Sequence, residues 1–314
     1  MSGGALLIDS RFLVDRLGPL DIPARVFTPD DVAGGISPEI AAQVEVLATG
    51  GHVPAALIDA LPRLRLVACF STGYEGIDLA RLRARGITLT TAAGVNAHDV
   101  ADHALGLLLA LWHRIPLADR HVREGRWRET LAPRPSLRGR SAGIVGLGRI
   151  GSAIARRLAA HDLKVGWYGP REKPGAEFPR AQSLLALAEQ SDILVVASRA
   201  VPDNAGQIDG AVLAALGPQG VLVNVSRGFL VDEAALLAAL KSGAIAGAAL
   251  DVFAEEPVDA AMWRALPNVV LTPHLAGFTV EAGADMIGQL RDNISRYFHG
   301  KPLLTPTPDA ESAG

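Results

Sequence analysis

Short apolar runs alternate with segments of helical periodicity along most of the chain. From residue 141 onward this alternation is regular, as expected when strands and helices follow each other in a parallel sheet. The predicted strands are 5–8, 44–47, 66–70, 143–145, 165–168, 193–197, 221–225, 245–250 and 269–271. The predicted helices are 57–61, 79–85, 99–114, 150–160, 184–190, 211–216, 233–241 and 280–298. The pattern is typical of α/β proteins, in which right-handed crossovers build doubly wound parallel sheets.

The most specific local signal is the segment SAGIVGLGRIGSAIARRLAA, which begins at Ser141. It predicts a strand, a tight turn and a helix, and it contains the GxGxxG pattern of dinucleotide-binding turns. Gly146 would make the turn, Gly148 would let the backbone approach a pyrophosphate, and Gly151 would let the helix lie close to its strand. The unpaired N–H groups at the start of the helix would face the anion. Arg149 and Ile150, which lie between Gly148 and Gly151, are expected to contact the cofactor as well.

The end of the second strand bears on the choice of nucleotide. An NAD site usually has a carboxylate there to bind the ribose hydroxyls. This chain instead continues from Tyr168 with Gly-Pro-Arg-Glu-Lys. Arg171 could pair with a 2′-phosphate, and Lys173 could add a second positive charge, which favours NADP(H) over NAD(H). Two alternatives stay open, because Arg171 could be a solvated surface residue and Glu172 could be a ribose ligand.

Two segments between residues 99 and 140 differ in character. Residues 99–114 begin with Asp99 as a helix cap and then carry apolar side chains around most of the circumference, which predicts a buried helix. Residues 119–140 are rich in charge and proline, with Trp127 among arginines. Acidic residues are interleaved with the basic ones, so the segment is expected to be solvated or to form a subunit contact rather than to bind nucleic acid.

Three polar residues follow predicted strands after the glycine turn: Arg227, Glu256 and His274. Each alone has an ordinary structural explanation as a surface cation, a solvated acid or a capping histidine. Together they suit hydride chemistry at a carbonyl, in which a cation fixes the substrate carboxylate and polarises the ketone. A histidine then supplies the proton, and a carboxylate keeps that histidine protonated and oriented.

Composition narrows the function classes further. The chain has 314 residues, 49% of them hydrophobic and 20% charged, with a net charge of -3, which suits a protein of two domains that binds neither nucleic acid nor an anionic membrane surface. We expect no membrane span, because no apolar run reaches roughly 18 residues. The N-terminus lacks the pattern of a secretory signal, so a cytoplasmic location is expected. Cys69 lies in an apolar run and is expected to be a buried small residue.

The sequence resembles the D-isomer-specific 2-hydroxyacid dehydrogenases over essentially its full length. The motifs that carry the resemblance are VGLGRIG, NVSRGFLVDEAAL, GAALDVFAEEP and LTPHLAG, in the order and at the spacing of that family. The segments FSTGYEGID, DVADHALGLLLALWHRI and GKPLLTP are most similar to NADPH-dependent hydroxypyruvate, glyoxylate and hydroxyphenylpyruvate reductases.

The resemblance implies roles for individual residues. It assigns the catalytic arginine, glutamate and histidine to Arg227, Glu256 and His274, of which Arg227 and His274 also contact substrate. It places substrate-carboxylate binding at the backbone of Thr72 and Gly73. It implies three further cofactor-binding residues besides the glycine turn, Ser226, Asp251 and Gly277, with Asp251 at the nicotinamide amide. No metal is expected.

The implied architecture consists of two Rossmann-like domains with a cleft between them. A discontinuous substrate domain would comprise residues 1–95 and 276–314, and an NADP-binding domain would comprise residues 96–275. The substrate would be a small 2-oxo or 2-hydroxy acid, with hydroxypyruvate and glyoxylate as the first candidates. The resemblance also implies a homodimer that associates through residues 99–140.

Two other functions use the same scaffold. A formate-type dehydrogenase would carry glutamine in place of Glu256 and a longer N-terminal region. The glutamate and the short N-terminus of this sequence argue against that function. A corepressor-like protein that senses nicotinamide nucleotides without catalysis is the other alternative, and an activity assay would separate it from an enzyme.

Overall fold

The computed structural model describes residues 4–307, which form two compact units. One unit comprises residues 4–96 and 279–307, and the other comprises residues 97–278. The ends of the predicted substrate domain, residues 1–3 and 308–314, lie outside the described residues. No helix within residues 4–307 combines the length and apolar character that crossing a bilayer requires.

The first unit is built on a parallel sheet of five strands in the order β2-β1-β3-β5-β7. The strands are β1 (Ala5–Ile8), β2 (Arg25–Phe27), β3 (Val44–Thr49), β5 (Leu66–Cys69) and β7 (Thr88–Thr90), and a short separate pair consists of β4 (His52–Val53) and β6 (Gly76–Ile77). The helices are α1 (Arg11–Leu17), α2 (Pro38–Ala41), α3 (Ala55–Ala60), α4 (Leu79–Ala84) and the C-terminal α12 (Val280–Phe298). This order is the doubly wound arrangement of flavodoxin-like sheets.

Each face of this sheet is covered by its own apolar layer. On one face Leu290 and Ile294 of α12 pack with Leu13 and Leu17 of α1 against the strands. On the other face Ile58 of α3 belongs to a separate cluster with the alternate strand residues. Because both faces are buried, the inner strands β1 and β5 have continuous apolar sequences.

The second unit contains a parallel sheet of six strands in the order β13-β12-β11-β10-β8-β9. The strands are β8 (Ser141–Val145), β9 (Lys164–Tyr168), β10 (Ile193–Val196), β11 (Val221–Asn224), β12 (Gly247–Leu250) and β13 (Val269–Leu271). The helices are α5 (Ala97–Trp112), α6 (Ile115–Arg123), α7 (Arg149–Ala160), α8 (Leu184–Glu189), α9 (Gly210–Leu216), α10 (Glu233–Ser242) and α11 (Ala260–Trp263). The order reverses direction between β8 and β10, and ligands of such sheets bind at the carboxyl ends of the strands at that point.

These two sheets confirm the predicted α/β class and the doubly wound parallel topology. Several element boundaries were predicted wrongly. The helix predicted from residue 99 begins at Ala97, so Asp99 lies in its first turn, where a negative charge suits the helix dipole, rather than at its cap. Its end is at Trp112 rather than residue 114, because Arg114 adopts a left-handed conformation and a separate helix, α6, follows.

Candidate active site

The glycine turn joins β8 to α7 and has the stereochemistry that the pattern predicts. Gly146 has φ 94°, and a Cβ there would overlap the backbone of Ser198. A Cβ on Gly151 would overlap the carbonyl oxygen of Gly146, so any side chain would push α7 away from the turn. A Cβ on Gly148 would meet nothing within 4 Å. The backbone at Gly148 is therefore open to a ligand at the start of α7, and this cradle fits a dinucleotide pyrophosphate.

The end of β9 gathers positive charge beside that turn. Lys173 donates a hydrogen bond from Nζ to the carbonyl oxygen of Leu147, within the glycine turn. Arg171 is exposed just beyond the strand. Arg180, which the sequence analysis did not identify, donates from Nη2 to the carbonyl oxygen of Gly169 at 2.8 Å. Its guanidinium carbon also lies 5.6 Å from the ring centre of Tyr168. Arg180 reaches Gly169 because the chain returns alongside β9. No local sequence pattern indicates that return.

The end of β11 is shaped by a buried amide. The side chain of Asn224 accepts a hydrogen bond from the backbone N–H of Ser226 at 3.0 Å and donates one to the carbonyl oxygen of Arg227 at 3.0 Å. The hydroxyl of Ser226 donates to the carbonyl oxygen of Ser198, beyond β10, at 2.6 Å. Asn224 therefore fixes the turn that carries both predicted ligands, Ser226 and Arg227.

Arg227 lies against the segment that contains Glu256. A Cβ on the next residue, Gly228, would overlap the backbone of Phe253, so the two loops are in direct backbone contact. The guanidinium of Arg227 donates to the carbonyl oxygen of Ser226 at 2.7 Å, and the side chain is partly exposed. The loop contact depends on glycine because no larger residue fits there.

Glu256 and His274 form the hydrogen-bonded pair that acid–base chemistry requires. Oε2 of Glu256 lies 2.7 Å from Nδ1 of His274, and Oε1 accepts a hydrogen bond from the backbone N–H of Phe253 at 3.0 Å. The His274 side chain keeps 47% of its surface exposed. With Nδ1 bound to the carboxylate, Nε2 is the ring nitrogen that can exchange a proton with a substrate.

Asp251 lies at the end of β12 with only 1% of its surface exposed. Its carboxylate accepts hydrogen bonds from the hydroxyl of Thr272 at 2.6 Å and from the N–H groups of Leu275 and Ala276 at 2.8 and 2.9 Å. Thr272 in turn lies 3.0 Å from Nε2 of His103. Binding of the nicotinamide amide by Asp251 stays a prediction, as does the contact predicted for Gly277, and the structure shows that Asp251 also holds the loop around His274.

The predicted substrate-binding backbone, Thr72 and Gly73, lies in the first unit between β5 and β6. The hydroxyl of Ser71 donates to the carbonyl oxygen of Gly73 and so helps to shape this loop. Burial raises the pKa of the Cys69 thiol, with a smaller opposing contribution from hydrogen bonding to Ser71. The cysteine is 2% exposed, as the sequence analysis predicts, and a raised pKa disfavours the thiolate form.

The structure thus places Arg227, Glu256, His274, Asp251 and the glycine turn at carboxyl ends of strands in one sheet. Sequence reasoning assigned no role to Asn224, Thr272 and His103. Asn224 is the first residue of the NVSRGFLVDEAAL motif, and its position as a polar residue closing an apolar strand was an available signal. His103 had none, because its partner lies far along the chain and nothing local in α5 indicates the contact.

Comparison with known proteins agrees with this geometry. Residues 105–276 match the model for the NAD-binding domain of D-isomer specific 2-hydroxyacid dehydrogenases. The chain is 42% identical over 253 residues to a hydroxyphenylpyruvate reductase from Plectranthus scutellarioides, with 80% of this chain and 81% of that protein covered. It is also 42% identical over 253 residues to a glyoxylate/hydroxypyruvate reductase from Arabidopsis thaliana, with the same coverage.

A solved structure is similar over almost the whole chain. It is an NADPH-dependent glyoxylate/hydroxypyruvate reductase from Sinorhizobium meliloti in complex with NADP and malonate. The two chains are 38% identical with a TM-score of 0.87, and the match covers 98% of this chain and 97% of the other.

Proposed function

The chain belongs to the D-isomer-specific 2-hydroxyacid dehydrogenase family, and we propose that it reduces a small 2-oxo acid to the D-2-hydroxy acid with NADPH. The observation that carries this proposal is the 2.7 Å contact between Glu256 and Nδ1 of His274. Hydroxypyruvate and glyoxylate are the proposed substrates, because the similar proteins from Arabidopsis thaliana and Sinorhizobium meliloti bear those names. The reductase names of these relatives favour catalysis over a nucleotide-sensing corepressor.

The protein side chains divide the work around the substrate. Arg227 pairs with the substrate carboxylate and polarises the 2-oxo group, for which a planar guanidinium is suited. His274 donates its Nε2 proton to the oxygen of that group as it becomes a hydroxyl. Glu256 balances the positive charge of the imidazolium and fixes the ring through Nδ1. When bound, the reduced nicotinamide supplies the hydride that carbon 2 of the substrate receives. Thr72 and Gly73 stay predicted ligands of the substrate carboxylate.

The preference for NADPH rests on charge beside the glycine turn. The chain offers no carboxylate directly after Tyr168, while Arg171, Lys173 and Arg180 lie within the segment that follows. Lys173 is already attached to the glycine turn through the carbonyl oxygen of Leu147. Glu172 and Glu177 lie in the same segment, so the proposed preference depends on individual cations, and Arg171 is the exposed residue proposed to pair with an additional phosphate.

The first test compares NADPH and NADH in the reduction of hydroxypyruvate and glyoxylate. We expect the parent protein to prefer NADPH, and Arg171→Ala to lower kcat/KM for NADPH by about ten- to a hundredfold with little effect on NADH. This range corresponds to the loss of one charge-assisted contact of about 1.5–3 kcal/mol. Arg156→Ala, on the exposed side of α7, is the control and should leave both cofactors unchanged. Equal efficiency of the parent with the two cofactors would contradict the proposed preference.

A further inference from the structure

The loop that carries His274 is hydrogen-bonded at several points to Asp251, the residue directly after β12. The backbone N–H of His274 donates to the carbonyl oxygen of Asp251 at 2.8 Å. The next two N–H groups donate to the carboxylate of the same residue, at 2.8 Å from Leu275 and 2.9 Å from Ala276. The position of the catalytic ring therefore depends on how the side chain of Asp251 is held.

His274 needs such an anchor because its backbone is unusual. It has φ 53°, in the left-handed region that residues with a Cβ seldom occupy. Residues in this conformation persist when the surrounding contacts fix them. The hydrogen bonds to Asp251 are the contacts that fix the loop in this conformation on both sides of the ring.

One further side chain controls the carboxylate of Asp251. The hydroxyl of Thr272 has a single proton, which it donates to Oδ1 of Asp251 at 2.6 Å. The same oxygen of Thr272 lies 3.0 Å from Nε2 of His103, on α5. Because the threonine proton is already donated, Thr272 can only accept in this second contact, and Nε2 of His103 must carry the proton. The hydrogen bonds thus run in one direction, from His103 through Thr272 to Asp251.

His103 is well placed to hold the hydroxyl of Thr272. Its side chain is only 25% exposed, and Nε2 also lies 3.4 Å from Oδ1 of Asp251. It is held on a helix whose apolar residues, among them Ala101, Ala104 and Leu107, form part of the core of this unit. The imidazole is therefore presented to Thr272 from a rigid element.

We propose that His103 is a positioning residue for His274. Its Nε2 proton orients the hydroxyl of Thr272 toward Asp251, and Asp251 then holds the 274–276 loop so that the His274 ring keeps its place beside Glu256. His103 contacts neither substrate nor cofactor in this role. The expected effect on kcat rests on the proposed function. The expected effect on the 274–276 loop does not depend on which reaction the protein catalyses.

The test uses substitutions that separate the effect of losing the N–H donor from the effect of changing the side-chain volume. His103→Leu removes the donor, and we expect kcat for 2-oxo acid reduction to fall by about threefold to tenfold, the range for one neutral hydrogen bond. His103→Gln keeps an N–H donor at a similar reach and should restore kcat to within about twofold of the parent. The affinity for NADPH, followed by fluorescence titration, should stay within about twofold of the parent in His103→Gln, because that variant keeps the donor that orients Thr272 toward Asp251. His161→Leu, exposed at the end of α7, is the control.

A double-mutant cycle asks whether His103 acts through Thr272. The kcat of the double variant His103→Leu/Thr272→Val should equal that of Thr272→Val alone, because loss of the Thr272 hydroxyl already disconnects His103 from Asp251. Additive losses would overturn the proposal, as would a His103→Leu variant with the kcat of the parent or a His103→Gln variant as impaired as His103→Leu.

Amide hydrogen exchange supplies a measurement that does not depend on activity. In His103→Leu the amides of Leu275 and Ala276 should exchange faster than in the parent, and in His103→Gln they should exchange at the parent rate. Unchanged exchange in His103→Leu would overturn the positioning role even if the protein proved inactive on every 2-oxo acid. Faster exchange in an inactive protein would support the positioning role and contradict the proposed function alone.

Discussion

At the scale of single residues, the site depends on a few side chains with more than one contact. Glu256 uses one carboxylate oxygen for His274 and the other for the backbone N–H of Phe253. The second bond keeps the carboxylate from rotating away, so the charge stays beside the imidazole. A left-handed φ of 53° at His274 costs about 1–2 kcal/mol for a residue with a Cβ. The hydrogen bonds of the loop to Asp251 offset this cost, and the His274 ring lies beside Glu256 in this conformation.

Replacement of Glu256 by glutamine tests this pair directly. Glu256→Gln keeps the size of the side chain but removes the negative charge that favours protonated His274. We expect kcat/KM for reduction at neutral pH to fall by about ten- to a hundredfold, in line with a charge-assisted hydrogen bond. The measurement is kcat/KM for reduction at neutral pH.

The adjacent residue provides a matched control for this prediction. Glu255 is an exposed carboxylate next to Glu256 and is expected to be uninvolved. Glu255→Gln should therefore keep the kcat/KM of the parent. If Glu256→Gln also kept the kcat/KM of the parent with the chemical step rate-limiting, Glu256 and His274 would not act as a pair.

At the scale of elements, burial explains which parts of the fold could be predicted. Strands β10 and β11 are buried at every position, so their sequences are continuous apolar runs with clear ends. The edge strand β2 was missed because two of its three residues are exposed and its sequence is short. Helix α6 was missed because it starts only three residues after α5 ends and its basic last turn was interpreted as part of the charged segment 119–140. Local patterns therefore identify interior elements better than peripheral ones.

The glycine turn allows stability and binding to be separated experimentally. Gly151→Ala puts a methyl group against the carbonyl oxygen of Gly146 and should lower the free energy of unfolding by about 1–3 kcal/mol, the usual cost of overpacking. Gly148→Ala fills open space and should leave unfolding nearly unchanged but weaken NADPH binding, because its backbone is the part that would approach the pyrophosphate. Urea unfolding and fluorescence titration measure the two quantities. Parent affinity in Gly148→Ala would contradict the placement of the nucleotide.

At the scale of the whole molecule, long-range contacts set the limit of sequence reasoning. The topology of parallel strands brings Arg227, Glu256 and His274 to strand ends of one sheet, and this could be inferred from polar residues that follow apolar runs. The network of His103, Thr272 and Asp251 could not, because a hydrogen bond between α5 and a loop about 170 residues later leaves no periodic pattern in the sequence. Its residues only become recognisable once distances are known.

The last prediction concerns association of two copies through residues 99–140. Three large apolar side chains in this segment are exposed, with Ile115 at 53%, Val122 at 58% and Trp127 at 63%. Exposed apolar surface and aromatic side chains are features of protein interfaces, and an interface through this segment would bury these three side chains. We expect a homodimer, and Trp127→Glu should weaken it by at least about thirtyfold, because an interfacial tryptophan typically contributes 2 kcal/mol or more.

Light scattering coupled to gel filtration measures this association directly. The parent should elute with twice the chain mass of 32.8 kDa, and Trp127→Glu should shift toward a single chain mass on dilution. Leu185→Glu is the matched control, because Leu185 is 43% exposed on α8, outside the proposed interface. A parent that stays at the single chain mass at all concentrations would contradict the dimer. A Trp127→Glu variant that keeps the doubled mass at the same dilution would instead place the interface outside residues 99–140.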